Sequence, residues 1–104
     1  MAVAHLNNET FKEMTSEGIA LIDFWAEWCM PCQALLPVIE ELGQSLEGVA
    51  KVGKVNCDEN RELVKEFRVM SIPTVVFFKD GKEVNRLVGG YPKAKYLEIV
   101  DSLK

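Results

Sequence analysis

Apolar and polar positions recur along this chain with two different periods, which predict its strands and helices. The run from Ile19 to Ala26 is apolar on both faces apart from Asp23. Such a run is typical of a central strand that is covered on both sides. A helical pattern follows from Pro31 to about Leu46, and it continues past Pro37, which should therefore kink the helix without ending it. The apolar stripe of this helix has intervals of four, three and four residues and consists of Leu35, Ile39, Leu42 and Leu46.

A third strand, Val49 to Asn56, follows this helix and completes a strand-helix-strand unit. The crossover in such a unit is expected to be right-handed and to leave the two strands parallel. Before the unit, Val3 to Leu6 predicts a short first strand, and Asn7 or Asn8 can cap a helix that Gly18 ends. These segments indicate an α/β domain.

The last part of the chain predicts a short helix, a β-hairpin and a final helix. Asp58 or Asn60 can cap the short helix, and Thr74 to Leu87 predicts two strands joined at the turn Lys79-Asp80-Gly81-Lys82. No linker, repeat or low-complexity segment divides residues 1–104, so we expect a single domain. The final helix presents one apolar face, made of Tyr96, Leu97, Val100 and Leu103.

Two charged residues occupy strand positions with apolar neighbours. Asp23 interrupts the central strand, where burial of a carboxylate as an anion is costly and usually raises its pKa. If the strand instead lay at an edge of the sheet, Asp23 would be open to water. Lys54 shares a strand face with Ala50 and Val52.

Composition and charge exclude several classes of function. The 104 residues are 48% hydrophobic and 27% charged, with a net charge of −4, as in an ordinary globular protein. An acidic chain without a Lys/Arg run is poorly suited to nucleic acid, whose phosphates need a basic surface. The N-terminal residues form neither a basic nor a continuous apolar segment, and no apolar run approaches the length that spans a membrane. We therefore expect a cytoplasmic protein without nucleic-acid or membrane partners.

Three cysteines and one histidine are candidates for chemistry. Cys29 and Cys32 are separated by two residues, which suits either a small-ring disulfide or two ligands of a metal site. In a reducing compartment such a pair is more often catalytic or metal-binding than a permanent cross-link. Cys29 lies where the helix begins, and unpaired N–H groups and the helix dipole should lower its pKa there and favour the thiolate that attacks disulfides. Cys57 is expected to be an inert buried thiol, and His5 an ordinary surface residue.

A longer motif surrounds the cysteine pair. It consists of Asp23-Phe24-Trp25-Ala26-Glu27-Trp28-Cys29-Met30-Pro31-Cys32, Pro37, Ile72-Pro73-Thr74 and Phe78-Lys79-Asp80-Gly81. Cys-x-x-Cys alone is weak evidence, but this combination resembles the thioredoxin family over nearly the whole chain. The resemblance implies a mixed central sheet of five strands flanked by four helices. It also implies a cis peptide bond at Pro73, which would lie against the cysteine pair.

The resemblance further implies that the protein reduces protein disulfides through a reversible Cys29/Cys32 couple. Cys29 would attack the target disulfide and Cys32 would resolve the mixed disulfide. Asp23 is the implied general base for Cys32, and Lys54 modulates the charge of Asp23. The implied substrate-binding residues form an apolar rim around Cys29 that docks extended polypeptide: Trp28, Met30, Pro31, Ile72, Pro73 and Gly89.

The same resemblance implies which partners the chain has. The sequence contains no nucleotide-binding glycine fingerprint, so we expect no cofactor and no metal in the chain itself. Electrons should come from a thioredoxin reductase and pass to disulfide-containing target proteins. We expect the protein to act as a monomer.

Two positions depart from the family pattern. Met30 stands where the family usually has glycine, and Gln33 where it often has lysine or arginine. The dipeptide between the cysteines tunes the relative stability of the dithiol and the disulfide. The reduction potential of this pair can therefore differ from the potential usual in the family. Met30 also adds a flexible, polarizable side chain to the docking rim, which can alter the choice of partner.

Three other interpretations remain open on sequence grounds. The same fold serves oxidases and isomerases, although the absence of a secretory signal argues against them. A zinc or iron–sulfur module normally needs four ligands, so a chain with three cysteines and a distant His5 would have to share a site with a second copy. A redox-silent docking scaffold fits poorly, because both cysteines of the pair are present.

Overall fold

A computed structural model describes residues 3–104, which form five strands and four helices. Met1 and Ala2, part of the N-terminal stretch considered above, lie outside the described residues. The expected α/β fold with a mixed five-stranded sheet and four helices is confirmed. In chain order the elements are β1 (Val3–His5), α1 (Asn8–Thr15), β2 (Ile19–Trp25), α2 (Met30–Ser45), β3 (Ala50–Asn56), α3 (Arg61–Glu66), β4 (Thr74–Lys79), β5 (Lys82–Val88) and α4 (Lys93–Leu103).

The sheet has the strand order β1-β3-β2-β4-β5, so β2 is its central strand. β3 runs parallel to both β1 and β2, as the strand-helix-strand pattern predicted. β4 is antiparallel to β2, and β5 is antiparallel to β4. The segment that follows β2, which holds the cysteine pair, therefore leaves the sheet near its middle.

One apolar cluster lies on each face of the sheet. Ile19 and Leu21 of β2 pack on one face with residues of α2 and α4. Ile22 and Phe24 pack on the opposite face with residues of α1 and α3, as the two-residue period of a strand requires. The α2 helix continues through Pro37. Its predicted stripe is buried and consists of Leu35, Ile39, Leu42 and Leu46.

Local signals in the sequence explain several element boundaries. Asn7 caps α1, and its side chain and that of Thr10 form a capping box. Asp80 and Gly81 both have positive φ, 50° and 87°, as a two-residue hairpin turn prefers. Asn60, rather than Asp58, occupies the N-cap position of α3, but its side chain makes no capping hydrogen bond. No helix within residues 3–104 has the length and apolar content that crossing a membrane requires.

Candidate active site

The Cys29/Cys32 pair lies at the beginning of α2. Cys29 is the N-cap residue and has an extended backbone, with φ −94° and ψ 108°. The two cysteines form a disulfide, with their Cα atoms 5.2 Å apart. The backbone N–H of Cys32 donates a hydrogen bond to Cys29 Sγ at 3.2 Å. The sulfur of Cys29 thus occupies the position in which a capping side-chain oxygen normally accepts from the third helical residue.

The two sulfur-bearing residues differ in their access to solvent. Cys29 is 6% exposed, whereas Cys32, one turn into α2, is completely buried. Both cysteines pack against Ala26, Trp25 and Ile72. Of the two residues, only Cys29 therefore contributes surface to the outside of the protein.

Large apolar side chains surround Cys29 on the surface. Trp28 and Met30 are 69% and 78% exposed, although side chains of these types are more often inside. The carbonyl oxygen of Ile72 lies 3.7 Å from Cys29 Sγ. Pro73 follows through a cis peptide bond and is buried. These four residues, which the sequence placed in the docking rim, lie beside Cys29.

The other two predicted rim residues, Pro31 and Gly89, flank this surface. Pro31 is exposed in the first turn of α2, where proline is favoured because its missing N–H has no helical acceptor. It borders a shallow cleft of about 360 Å³ together with Tyr91. The N–H of Gly89 donates to the carbonyl oxygen of Pro73 at 2.8 Å, and its φ of 91° favours glycine. Gly89 therefore joins the end of β5 to the cis-proline segment.

Asp23 lies on the central strand and on the sheet face that α2 covers. It is 1% exposed, so the alternative of an edge position open to water is wrong. Burial raises the pKa of Asp23 from 3.8 to about 7, against the opposing effect of the Lys54 cation. Neither carboxyl oxygen has a hydrogen-bond partner among the described residues. The group can therefore gain or lose a proton near neutral pH without breaking a hydrogen bond in the protein.

Lys54 pairs with Asp23 across β2 and β3 and is itself buried. Its Nζ lies 5.2 Å from the centroid of the Trp25 ring, within the range of a cation–π interaction. The Trp25 ring stabilises the cation in a position where little water reaches it. Lys54 is also close enough to Asp23 to lower the pKa of its carboxyl group.

Cys57 and His5 lie outside this arrangement. Burial raises the pKa of the half-buried Cys57 thiol to about 11, and the nearby carboxylates of Asp23 and Asp58 contribute to this rise. A thiol with such a pKa is a poor nucleophile at neutral pH. His5 is exposed on β1, and residues 3–104 contain no group of three or more His, Cys, Asp or Glu that could hold a metal ion.

A contact between Trp28 and Asp58 was not foreseen from the sequence. Trp28 Nε1 donates a hydrogen bond to Asp58 Oδ2 at 2.8 Å. Trp28 follows β2 and Asp58 follows β3, and the carboxyl ends of neighbouring parallel strands meet at one edge of a sheet. That rule could have brought the two residues together. The hydrogen bond holds the exposed indole in one orientation beside Cys29.

Fold and site together define a class of protein, the thiol–disulfide oxidoreductases. A disulfide closes the first turn of a helix, one of its cysteines is accessible, and a buried carboxyl group lies on the sheet below that helix. Similarity to known proteins then identifies the family. The Thioredoxin family model matches residues 2–102 of the chain.

Individual relatives agree with this match. The thioredoxins of Staphylococcus haemolyticus and Staphylococcus aureus are 43% and 42% identical to the chain over 101 residues, which cover 97% of each protein. The solved structure of a mutant thioredoxin from Halobacterium salinarum NRC-1 has a TM-score of 0.90 at 34% identity, covering 97% of this chain and 89% of that one. The chain belongs to the thioredoxin family. It is a protein-disulfide reductase whose redox-active pair is Cys29 and Cys32.

Proposed function

We propose that Cys29 is the nucleophile and Cys32 the resolving thiol when this protein reduces a target disulfide. The observation that carries this order is the difference in access, since Cys29 is 6% exposed and Cys32 is 0% exposed. In the reduced protein, a Cys32 N–H directed at Cys29 Sγ and the start of α2 would both favour a thiolate at Cys29.

The proposed reaction has two exchange steps. The Cys29 thiolate attacks one sulfur of the target disulfide, a Cys29–target disulfide forms, and the other target sulfur leaves as a thiolate that takes a proton. The Cys32 thiol then loses its proton and attacks Cys29 Sγ, which forms the Cys29–Cys32 disulfide and releases the second target thiol. Two electrons and two protons pass to the target.

Asp23 is the proposed acceptor of the Cys32 proton, directly or through one water molecule. The support is its burial on the face beneath α2 and its pKa of about 7, which leaves a fraction of the carboxylate available near neutral pH. Lys54 favours the ionised form of Asp23 and so adjusts the pH at which the base is active. An Asp23→Asn variant should resolve mixed disulfides more slowly than the parent between pH 6 and 9. Equal rates over that range would contradict the assignment.

The docking rim is proposed to hold target polypeptide across Cys29. Its supports are the exposure of Trp28 and Met30 and the closeness of the Ile72 carbonyl to Cys29 Sγ. Pro31, Pro73 and Gly89 would shape the two sides of this surface.

The partners and the cellular location belong to the same proposal. The family implies disulfide-containing targets and a reductase that restores the dithiol, and we propose a thioredoxin reductase as the donor. We place the protein in the cytoplasm, because reduction of disulfides requires a compartment that keeps thiols reduced. Residues 1–104 would act as one domain and as a monomer, since one chain supplies both cysteines.

Two experiments test the order of the cysteines and the direction of the reaction. With a disulfide-bonded target, Cys32→Ser should accumulate a mixed disulfide at Cys29, whereas Cys29→Ser should form no adduct at Cys32. Adduct formation at Cys32 at a comparable rate would overturn the order.

The reduction potential of the pair should be about −270 mV, the value characteristic of thioredoxins. A potential between about −180 and −120 mV would instead indicate an isomerase or oxidase.

A further inference from the structure

A groove of about 540 Å³ lies along α3 and the segment that follows it, and we call it the α3 groove. Its apolar lining includes Val64, Val69 and Met70. Met70 is 93% exposed, although it precedes Ile72, the residue beside Cys29, by only two positions. A large apolar side chain thus remains in water close to the place where target polypeptide must arrive.

The α3 groove is continuous with the surface around Cys29. Asp58 borders the groove and accepts the hydrogen bond from Trp28 Nε1 at 2.8 Å. Trp28 in turn directly precedes Cys29 in the chain. A polypeptide that is bonded to Cys29 and passes over Trp28 is therefore led into the groove.

Three cationic side chains also border the α3 groove. Arg61, Lys65 and Arg68 border it and are exposed, and intervals of four and three residues place them along one side of α3 and its end. None of these three cations forms an ion pair within the described part of the chain. Asp58 is the one carboxylate among the described residues that border the groove, and it already accepts the Trp28 hydrogen bond. The groove is thus locally positive on a chain whose net charge is −4.

We propose that the α3 groove binds the acidic flank of a target segment, that is, Asp or Glu side chains a few residues from the target's reactive disulfide. The carboxylates would pair with Arg61, Lys65 and Arg68, and an apolar neighbour would cover Met70. This inference rests on the proposed attack by Cys29 and adds a substrate class to it, namely disulfides with acidic residues on one side.

Arg68 provides a variant that separates charge from stability. Its φ is 52°, and this left-handed conformation after a helix suits glycine better than any residue with a Cβ atom. Arg68→Gly removes one cation of the groove and relieves the backbone at the same time. A loss of target preference in this variant therefore could not be explained by unfolding.

The test compares two synthetic peptides that contain the same disulfide and carry either three Glu or three Gln on one flank. Each of the two peptides is made in two versions, one with the three Glu or Gln residues before the disulfide and one with them after it. The pre-reduced protein is mixed with each peptide. The rate at which the peptide disulfide is reduced is measured by acid quenching at intervals and chromatography. At about twofold for each of three exposed ion pairs, the Glu peptide should react about eightfold faster than the Gln peptide at low salt. The ratio should approach one between about 0.01 and 1 M salt, as the Debye length falls from about 30 to about 3 Å.

Variants then locate the preference. The double variant Arg61→Gln/Lys65→Gln and the single variant Arg68→Gly should each lower the Glu-to-Gln rate ratio, the double variant to below about threefold. Lys82→Gln removes an exposed cation at the hairpin end of the sheet and should leave the ratio unchanged. Equal rates for the two peptides, or a ratio that the α3 variants do not change, would overturn the docking proposal.

A small neutral disulfide tests the proposed role of Cys29 separately from the proposed role of the α3 groove. Bis(2-hydroxyethyl) disulfide carries no charge and has no flanking residues that could pair with the cations of the groove. If the wild-type protein reduces it but does not distinguish the peptides, the α3 proposal fails while the role of Cys29 stands. If the wild-type protein does not reduce it, the proposed function fails and the docking proposal with it.

Discussion

Replacement of Asp23 by asparagine should stabilise the oxidised protein in a strongly pH-dependent way. The unfolded chain loses the Asp23 proton near its ordinary pKa of 3.8, whereas burial keeps the folded protein protonated until about pH 7. Between these values the unfolded state binds fewer protons than the folded state, so the free energy of unfolding falls as the pH rises. The side-chain amide of the variant cannot ionise, so the variant escapes this loss.

The magnitude follows from the gap between the two pKa values. At about 1.4 kcal/mol per pH unit, the interval from 3.8 to about 7 corresponds to a destabilisation of about 4 kcal/mol by the ionisable carboxyl group. Below about pH 4 both side chains are neutral, and the two proteins should differ little. The advantage of Asp23→Asn should then grow by about 1.4 kcal/mol per pH unit and level off above about pH 7.

Urea unfolding of both oxidised proteins between pH 4 and 9 measures this difference directly. The subtraction of one protein's curve from the other's removes the contribution of every other titrating group that the two share. Glu40→Gln serves as a matched control, because Glu40 is an exposed carboxylate on α2. Its free energy of unfolding should follow the parent's within about 0.5 kcal/mol at each pH.

Two results would contradict a raised pKa for Asp23 in the folded protein. A stability difference that is constant from pH 4 to 9 would mean that the carboxyl group has the same pKa in the folded and unfolded states. A variant that becomes relatively less stable as the pH rises would mean that the folded state favours the carboxylate, so that Lys54 outweighs burial.

Three further changes have defined outcomes. Lys54→Met removes the cation that lowers the pKa of Asp23, so the carboxyl group should titrate above about pH 7 by infrared or NMR spectroscopy; an unchanged titration would contradict the pairing. Alkylation of Cys57 by iodoacetamide, with the Cys29–Cys32 disulfide intact, should accelerate about tenfold per pH unit from pH 7 to 10, and a plateau near about pH 8.5 would indicate an ordinary thiol. Gly53→Ala should lower the free energy of unfolding by about 1–3 kcal/mol, because its Cβ would lie 2.6 Å from a buried leucine methyl group; an unchanged melting temperature would show that this leucine moves aside freely.

The strands and helices were largely predictable because their signals are local. The apolar run of β2 indicates a strand buried on both faces, and the apolar stripe of α2 indicates a helix buried on one face. The strand and helix periods behind these patterns follow from backbone geometry. The Asp80-Gly81 turn and the Asn7 cap depend on side chains within a few residues of each other. The parallel pairing of β2 with β3 followed from the length of the helix between them.

Local patterns predicted the candidate site only where its residues are neighbours in sequence, whereas the cis peptide bond at Pro73 followed from the family resemblance. The helical pattern predicted the position of Cys29 at the start of α2. For Asp23 the sequence left two alternatives open, burial and an edge position, and the structure has it buried. The hydrogen bond from Trp28 to Asp58 was missed, because it joins residues 30 positions apart. The α3 groove was missed for a related reason, since a local pattern does not indicate which exposed residues share a concave surface.

The order and type of the elements and the cysteine spacing could be read from the chain alone, and the family resemblance added the chemistry of the pair. Three features depend on the folded arrangement: the greater exposure of Cys29 than of Cys32, the burial that raises the pKa of Asp23 to about 7, and the charges that border the α3 groove. The physical reason is that hydrogen-bonding periodicity acts over a few residues, whereas desolvation and charge pairing depend on every segment that the fold brings together.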